Sequence, residues 1–568
     1  MAKGSQIMWD TLVRPSADRS AAFRAAGLWR EETILDDLAR AVLTHPDKAA
    51  IISYRGGKLV RTVNYGELGM LVDRFAAALL ELGVQRQDVV VIHLPNWWML
   101  SPLYLACSRI GAIPAPAVPA LGARELGYVL ANSAAKVCIV ADDYLGIDYQ
   151  QRLNAAAPDS LAHRVVVRGG DSAVLPGAID FDDFFLNTPW EQRHQLADVQ
   201  PPAADDVALL LFTSGTTGAP KAVVHSYNTL YAAAIALPNS GNFGPDTVVT
   251  VPHYQTHMAG LIFAAYLALV LGGTSVMQDD SDMALLLDMI ARHGVTFGYS
   301  APVYVMGMVA EQRKQPRDLS SLRHLISGSA PIPPQLISDV AESLGVELGA
   351  LWGMTENGPV TVTRSDDPVG WAANSDGALV PGSELRIDAE PGDEIGRLLV
   401  RGPSQCLGYL NQRETYQRCL DDDGWFDTGD LARPDGRDGI RITGRREDLI
   451  IRRMGNKVPT MEVEAVIVRH PQVREVALIG YPDLGMPGAD RLCAVIVADG
   501  EPPTADELMR YLDGIGMTWW NWPERVVVRE ALPKNSLGKV QRSILREELK
   551  PLAAEHTDEL DGRSLFAH

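Results

Sequence analysis

Cysteine is scarce and scattered: the five, Cys107, Cys138, Cys406, Cys419 and Cys493, never fall as Cys-x-x-Cys. Such spacing signals neither a disulfide framework nor a zinc site, and a reducing cytoplasm is the expected home. Basic charge is also short, with 51 Lys and Arg against 71 Asp and Glu. The formal net charge of -20 argues against nucleic acid as a partner, since that binding relies on Lys and Arg releasing phosphate counterions. Long apolar runs are missing too. The stretch 258–277 carries no charge, but as a helix its solid apolar part, 261–271, would span roughly 16 Å, about half a bilayer core. A buried helix, a turn at Gly272-Gly273 and a buried strand are expected there, not a membrane span. The start, Met-Ala-Lys-Gly-Ser-Gln-Ile, lacks the apolar core of a signal peptide. No Pro, Ser or Gln tract marks a disordered region, so nearly the whole chain is expected to fold.

What is present is ordinary globular material, 46% hydrophobic and 21% charged over 568 residues, too long for one hydrophobic core. Helical periodicity covers 33–43 and 67–82, the latter stopped by Gly83. Short apolar runs at 89–93, 137–140, 165–167 and 207–212 read as buried strands between helices, an α/β arrangement. After Gly444 the character changes. A basic loop over 441–457 leads to strands at 473–479 and 492–497, a helix from Ala505 and a strand at 525–528. The fold class is therefore α/β, with a large N-terminal domain of several subdomains over 1–444 and a small α+β domain over 445–568, within the usual domain size range. No internal repeat is present.

The strongest local signal is Thr213-Ser-Gly-Thr-Thr-Gly-Ala-Pro-Lys221, directly after the apolar run 207–212. Glycines let backbone N–H groups close around phosphate oxygens, the Ser and Thr hydroxyls add donors, and Lys221 adds a positive charge. It is not a Walker A loop, because Pro220 stands where that motif needs Gly.

These residues resemble the signature of the ANL adenylating superfamily: acyl-CoA synthetases, peptide-synthetase adenylation domains and luciferases. Further segments similar to that family follow in order: Leu351-Trp-Gly-Met-Thr-Glu356, Trp425-Phe-Asp-Thr-Gly-Asp430, Gly444-Arg-Arg-Glu-Asp-Leu-Ile-Ile451 and Pro533-Lys-Asn-Ser-Leu-Gly-Lys539. The resemblance covers nearly the whole chain. It implies an ATP-dependent enzyme that joins a carboxylic acid to AMP and then, as an acyl-CoA ligase, to CoA.

The resemblance also assigns roles. Thr213, Ser214, Gly215, Thr216, Thr217, Gly218 and Lys221 would hold the phosphates of ATP. Lys539 would lie between the carboxylate and the α-phosphate during adenylation, when charge on phosphorus oxygens must be neutralised. Glu356 would hold Mg2+, a hard cation that takes carboxylate and phosphate oxygens together, with Thr355 on phosphate. The apolar and glycine neighbours of Glu356 place it in a tight, buried turn. Trp352, Gly353 and Met354 would line the adenine on one side, although Tyr or Phe is more usual at 352 and core packing is the alternative there. Ser329, Ala330 and Pro331, after Gly328, resemble the adenine turn on the other side. Asp430 is suited to accept hydrogen bonds from both ribose hydroxyls, and Arg445 is the family's other ribose contact. Glu447 falls at the hinge position, where Asp or Lys is commoner, so the small domain is expected to be mobile. Gly455 and Lys457 would meet CoA. The cluster Arg441, Arg446, Arg452, Arg453 and Lys457 either meets the phosphates of ATP or CoA or forms a solvated loop face.

The acid pocket is expected from segments around 252–260, 299–304, 327–332 and 351–358, with His257, Gly328 and Trp352 against the acid. The ionisable side chains there are His253, His257, Glu356, Tyr254, Tyr299 and Tyr304. An α-amino group would want a carboxylate partner and finds none apart from the metal candidate, so an apolar acid is expected. His257 has the His-x-x-Gly spacing of the family's carboxylate-side histidine, and His253 is its rival. The run 22–29, with Trp-Gly-Met-Thr-Glu, most resembles ligases for cyclohexanecarboxylate and other medium-chain, alicyclic or aryl acids. A second reading hands the acyl group to a separate carrier protein. The 29 residues after Lys539 are too few for a fused carrier domain, so that partner would act in trans. A catalytically silent nucleotide or CoA sensor is expected to have lost Lys539, Glu356 or part of the phosphate loop, and all are present. Luciferase-like oxidation is compatible with the motifs, but nothing asks for oxygen chemistry. Size and class suggest a homodimer.

Overall fold

The computed structural model describes residues 9–170, 173–213, 220–237, 243–252, 254–450, 452, 458–483, 490–534 and 539–551. By compactness the chain divides into a larger unit, 1–385 with 400–426, and a smaller one, 386–399 with 427–568. The expected 444/445 boundary falls inside the smaller unit, at the end of the strand Ile440–Arg445.

In the larger unit, a five-stranded parallel sheet runs in the order Ile113–Pro116, Val89–His93, Val137–Ala141, His163–Val167, Ile179–Asp180. Its central strands are buried throughout, which is why they read as continuous apolar runs and not as alternating ones. Helix Ile34–Thr44 begins at a capping box between Thr33 and Asp36. Helix Tyr65–Glu81 begins where Asn64 Oδ1 accepts from the Glu67 N–H at 2.8 Å, and Gly83, at φ +72°, follows its end.

The second sheet positions the site. Its nine strands run Ala378–Leu379, Gly358–Val362, Leu348–Met354, His324–Ser327, Phe297–Ser300, Val248–Thr250, Thr274–Gln278, Ala49–Arg55, Lys58–Asn64. From Leu348–Met354 across to Ala49–Arg55 every neighbouring pair is parallel, so these strands end on one edge. That edge is where ligands bind in open α/β sheets. The stretch 258–277 has the expected order: helix from Met258 to Leu271, Gly272 in the left-handed region at φ 63°, then the strand Thr274–Gln278. Its middle, Leu261–Leu267, is wound as a π-helix, a local widening often found near functional sites. A third sheet orders Val207–Thr213, Lys221–Ser226 and Gly408–Tyr409.

The smaller unit carries most of a four-stranded sheet, Glu384–Asp388, Gly396–Arg401, Phe426–Pro434, Ile440–Arg445. A three-stranded sheet, Val473–Pro482, Asp490–Ala498, Arg525–Val528, follows with helices Thr460–Ile467, Ala505–Gly514 and Arg542–Leu549. These are the strands and helix expected after Gly444. Among the described residues no helix is long and apolar enough to cross a membrane.

Candidate active site

The phosphate motif closes a hairpin. Thr213 pairs directly opposite Lys221 at the end of an antiparallel ladder, while Ser214, Gly215, Thr216, Thr217 and Gly218 lie outside the described residues. Alternation along the strand puts Lys221, Val223 and His225 on one face. Tyr409, opposite Val223 in the third strand, shares that face, and Lys221 Nζ stands 4.9 Å from its ring centroid.

Glu356 sits in the turn between Leu348–Met354 and Gly358–Val362, only 7% exposed, as its neighbours predicted. Two glycines shape the turn: a Cβ on Gly353 would lie 2.2 Å from the Gly358 carbonyl, and Gly358 has φ +59°, a conformation that strains other residues. The Tyr409 hydroxyl donates to Glu356 Oε1 at 2.8 Å. The Glu356 carbonyl accepts from the Cys406 N–H at 2.6 Å, and the Thr355 carbonyl accepts from His225 Nε2 at 2.8 Å. His225 and Tyr409 were not singled out from sequence. The one available signal is the two-residue period that repeats Lys221 at His225; Tyr409 is distant in the chain, and only strand pairing brings it in.

The described residues of the segments expected on the acid and adenine sides lie at the carboxyl edge of the parallel strands. Gly328 follows His324–Ser327, and a Cβ there would meet the Leu351 carbonyl at 2.4 Å and the Tyr299 hydroxyl at 2.8 Å. Ser329 takes φ +68°, and its hydroxyl is 3.0 Å from that of Tyr299. Burial pushes the Tyr299 phenol up to about 12, so it stays protonated. Its ring packs 4.9 Å from that of Phe263. Ala330 and Pro331 continue the turn, and Trp352, Gly353 and Met354 are half-buried on the adjacent strand. His257 is half-buried at the N-terminus of the helix starting at Met258. The Gly260 of its His-x-x-Gly is required by the close approach of backbone: an added Cβ would lie 2.2 Å from the Tyr254 carbonyl. His253 lies outside the described residues.

In the smaller unit, Asp430 and Arg445 are directly opposed across two antiparallel strands. Arg445 Nε is 2.8 Å from Asp430 Oδ1, and the carboxylate's residue is 5% exposed. Lys539 is near enough to feel both. Its ammonium is held below the ordinary lysine value, first by desolvation and then by repulsion from Arg445, with Asp430 pulling the other way; the residue nevertheless keeps an exposed share of surface. The basic cluster divides. Arg452 is buried and paired with Glu524 at 3.0 Å, and Arg441 is buried, which corrects the solvated-face alternative for both: each lies inside the fold. Arg446 is exposed and paired with Asp427 at 2.5 Å. Glu447 lies in the short turn Arg446–Asp448. Arg453, Gly455 and Lys457 lie outside the described residues.

Residues 38–410 match the AMP-binding enzyme family, and 462–539 match the AMP-binding enzyme C-terminal domain. The salicyl-AMP ligase / salicyl-S-ArCP synthetase of Mycobacterium tuberculosis (strain ATCC 25618 / H37Rv) is 33% identical over 544 residues, covering 94% of this chain and 93% of the relative. The medium-chain fatty-acid–CoA ligase of Escherichia coli (strain K12) is 28% identical over 550 residues, covering 94% and 93%. Among solved structures, ATP-bound MatB from Rhodopseudomonas palustris superposes with a TM-score of 0.80 at 28% identity, over 92% of this chain and 100% of that one. The chain belongs to the AMP-binding enzyme family, as an ATP-dependent ligase that works through an acyl-adenylate.

Proposed function

We propose that the chain is an acyl-CoA ligase for an apolar carboxylic acid, alicyclic, aryl or medium-chain. The observation that carries the acid class is the carboxyl edge of the large sheet: its four acid-side segments contain one carboxylate, Glu356, and that group is engaged by Tyr409. An ammonium substrate would be left without a partner there.

In the first step a carboxylate oxygen of the acid attacks the α-phosphorus of ATP, the bond to the β-phosphate oxygen breaks, and pyrophosphate leaves. Two anions meet, so the barrier is lowered by fixed cations and donors aimed at the phosphoryl oxygens. Lys539 and Lys221 supply the charge, and Asp430 with Arg445 orients the ribose. His257 faces the carboxylate, and Trp352 with the Gly328–Pro331 turn flanks the adenine. Glu356 fits Mg2+, which takes one or two carboxylates and completes its shell with phosphate oxygens and water; when bound, the ion neutralises phosphate charge. In the second step the CoA thiolate attacks the acyl carbonyl, the bond to the AMP oxygen breaks, and AMP leaves. Glu447 is the hinge about which the residues that follow it reorient between steps, and Gly455 and Lys457 meet the pantetheine and phosphates of CoA. The scattered cysteines, four of them buried, support a cytoplasmic home.

A carrier protein as acceptor is the second reading, favoured by the relative named salicyl-S-ArCP synthetase. Both are tested by AMP release from MgATP with cyclohexanecarboxylate, benzoate and octanoate, with and without CoA. Acid-dependent AMP that rises with CoA and falls at least 100-fold in Lys539→Ala, roughly 3 kcal/mol of transition-state stabilisation, is expected. Pyrophosphate exchange without CoA-stimulated turnover would shift the assignment to a carrier.

A further inference from the structure

The sheet that carries the phosphate hairpin also grips the metal segment. His225 holds the Thr355 carbonyl through Nε2; a carbonyl only accepts, so Nε2 carries the hydrogen. Burial pushes this imidazole down to about 4, so the ring is neutral at physiological pH. One residue further along, the Tyr409 hydroxyl donates to Glu356 Oε1 at 2.8 Å, and the two residues are 3% and 7% exposed. The register that delivers Tyr409 is built by the backbone: Leu407 N–H donates to the Val224 carbonyl and Leu410 N–H to the Ala222 carbonyl, each at 2.8 Å. Gly408 between them has φ +143°, a conformation side chains disfavour.

We propose that Tyr409 is a positioning residue for the divalent cation: by occupying Oε1 it leaves Oε2 of Glu356 to face the ion, so the carboxylate binds through one oxygen. The same ring faces the Lys221 ammonium, so one side chain ties the phosphate hairpin to the metal carboxylate. The inference rests on Glu356 as the Mg2+ ligand. Partners that orient a ligand in this way typically account for 10–100-fold in metal affinity.

The test uses the full chain, Mn2+ in place of Mg2+ and α,β-methylene-ATP, which blocks turnover. Electron paramagnetic resonance gives the Mn2+ dissociation constant. Tyr409→Phe keeps the ring and removes the hydroxyl, and is expected to weaken Mn2+ about 10-fold or more. Glu356→Gln is expected to weaken it at least as much, and Tyr409→Phe added to Glu356→Gln to cost little further, because the tyrosine acts through the carboxylate. Unchanged Mn2+ affinity in Tyr409→Phe, or fully additive losses in the double variant, overturns the proposal. Unchanged affinity in Glu356→Gln instead removes the metal assignment beneath it. A second measurement needs no variant. Difference infrared spectra of the wild-type chain on Mn2+ binding are expected to show a wider separation of antisymmetric and symmetric carboxylate stretches, as one-oxygen coordination requires. A narrowed separation, the mark of two-oxygen coordination, overturns the proposal.

Discussion

His225 is fully buried with one nitrogen against the Thr355 carbonyl and the other 3.0 Å from Thr229 Oγ1. Desolvation outweighs the carbonyl's opposing effect and pushes the imidazole from 6.5 down to about 4. In the unfolded chain it protonates near its ordinary value, so between about 6.5 and 4 the unfolded state binds the extra proton. Stability contributed by the neutral ring is therefore complete above that window and lost as pH falls through it, up to about 3 kcal/mol for a shift of this size. His93 carries the same shift for the same reason. In urea unfolding at a series of pH values, His225→Gln should be less stable than wild type at pH 7.5 and lose less on acidification to pH 4.5. A wild-type stability flat across that window would show the ring to be solvated. At this scale, Glu356, Asp430 and Lys539 could be singled out because their neighbours form motifs. His225 and Tyr409 were not, since a strand histidine and a Gly-Tyr pair have no chemistry until pairing places them beside Thr355 and Glu356.

At the scale of elements, the turn Tyr254–Gly260 decides where His257 stands. The close approach of the Tyr254 carbonyl leaves no room for a Cβ at Gly260, so Gly260→Ala must displace backbone. A destabilisation of about 1–3 kcal/mol is expected from overpacking. Because the shift falls on the segment carrying His257, KM for the acid should rise while KM for MgATP changes less. Equal rises in both would mean that the turn supports the whole site and not the acid side. The strands at 89–93 and 525–528 and the helices after 33 and 67 could be read from periodicity and caps. The π-helix Leu261–Leu267 could not, because its apolar run satisfies any buried helix. Nor could Gly408–Tyr409, too short to show a period.

At the scale of the molecule, each unit has its own core. In the smaller one Val463, Ile467, Leu478, Leu492, Ile496, Leu508 and Leu512 pack together, all buried. Leu508→Ala removes a fully buried side chain and should cost about 2–5 kcal/mol, lowering the melting of the smaller unit in calorimetry. The transition of the larger unit, whose own core is untouched by the change, should stay in place. A single transition that shifts as a whole would show that the units unfold together.

From the sequence alone came the α/β class, the helices and strands with clear period, and the motifs that identify adenylate chemistry. Local pattern suffices for these, because turns, caps and phosphate loops are chosen by neighbouring residues. Tertiary structure decided which distant residues share a face. Strand register places Tyr409 opposite Val223, parallel order collects segments from 252 to 358 on one edge, and burial removes the solvated-face alternative for Arg441 and Arg452. Register and burial are properties of pairing between residues that lie from tens to nearly two hundred positions apart, and no local pattern records them.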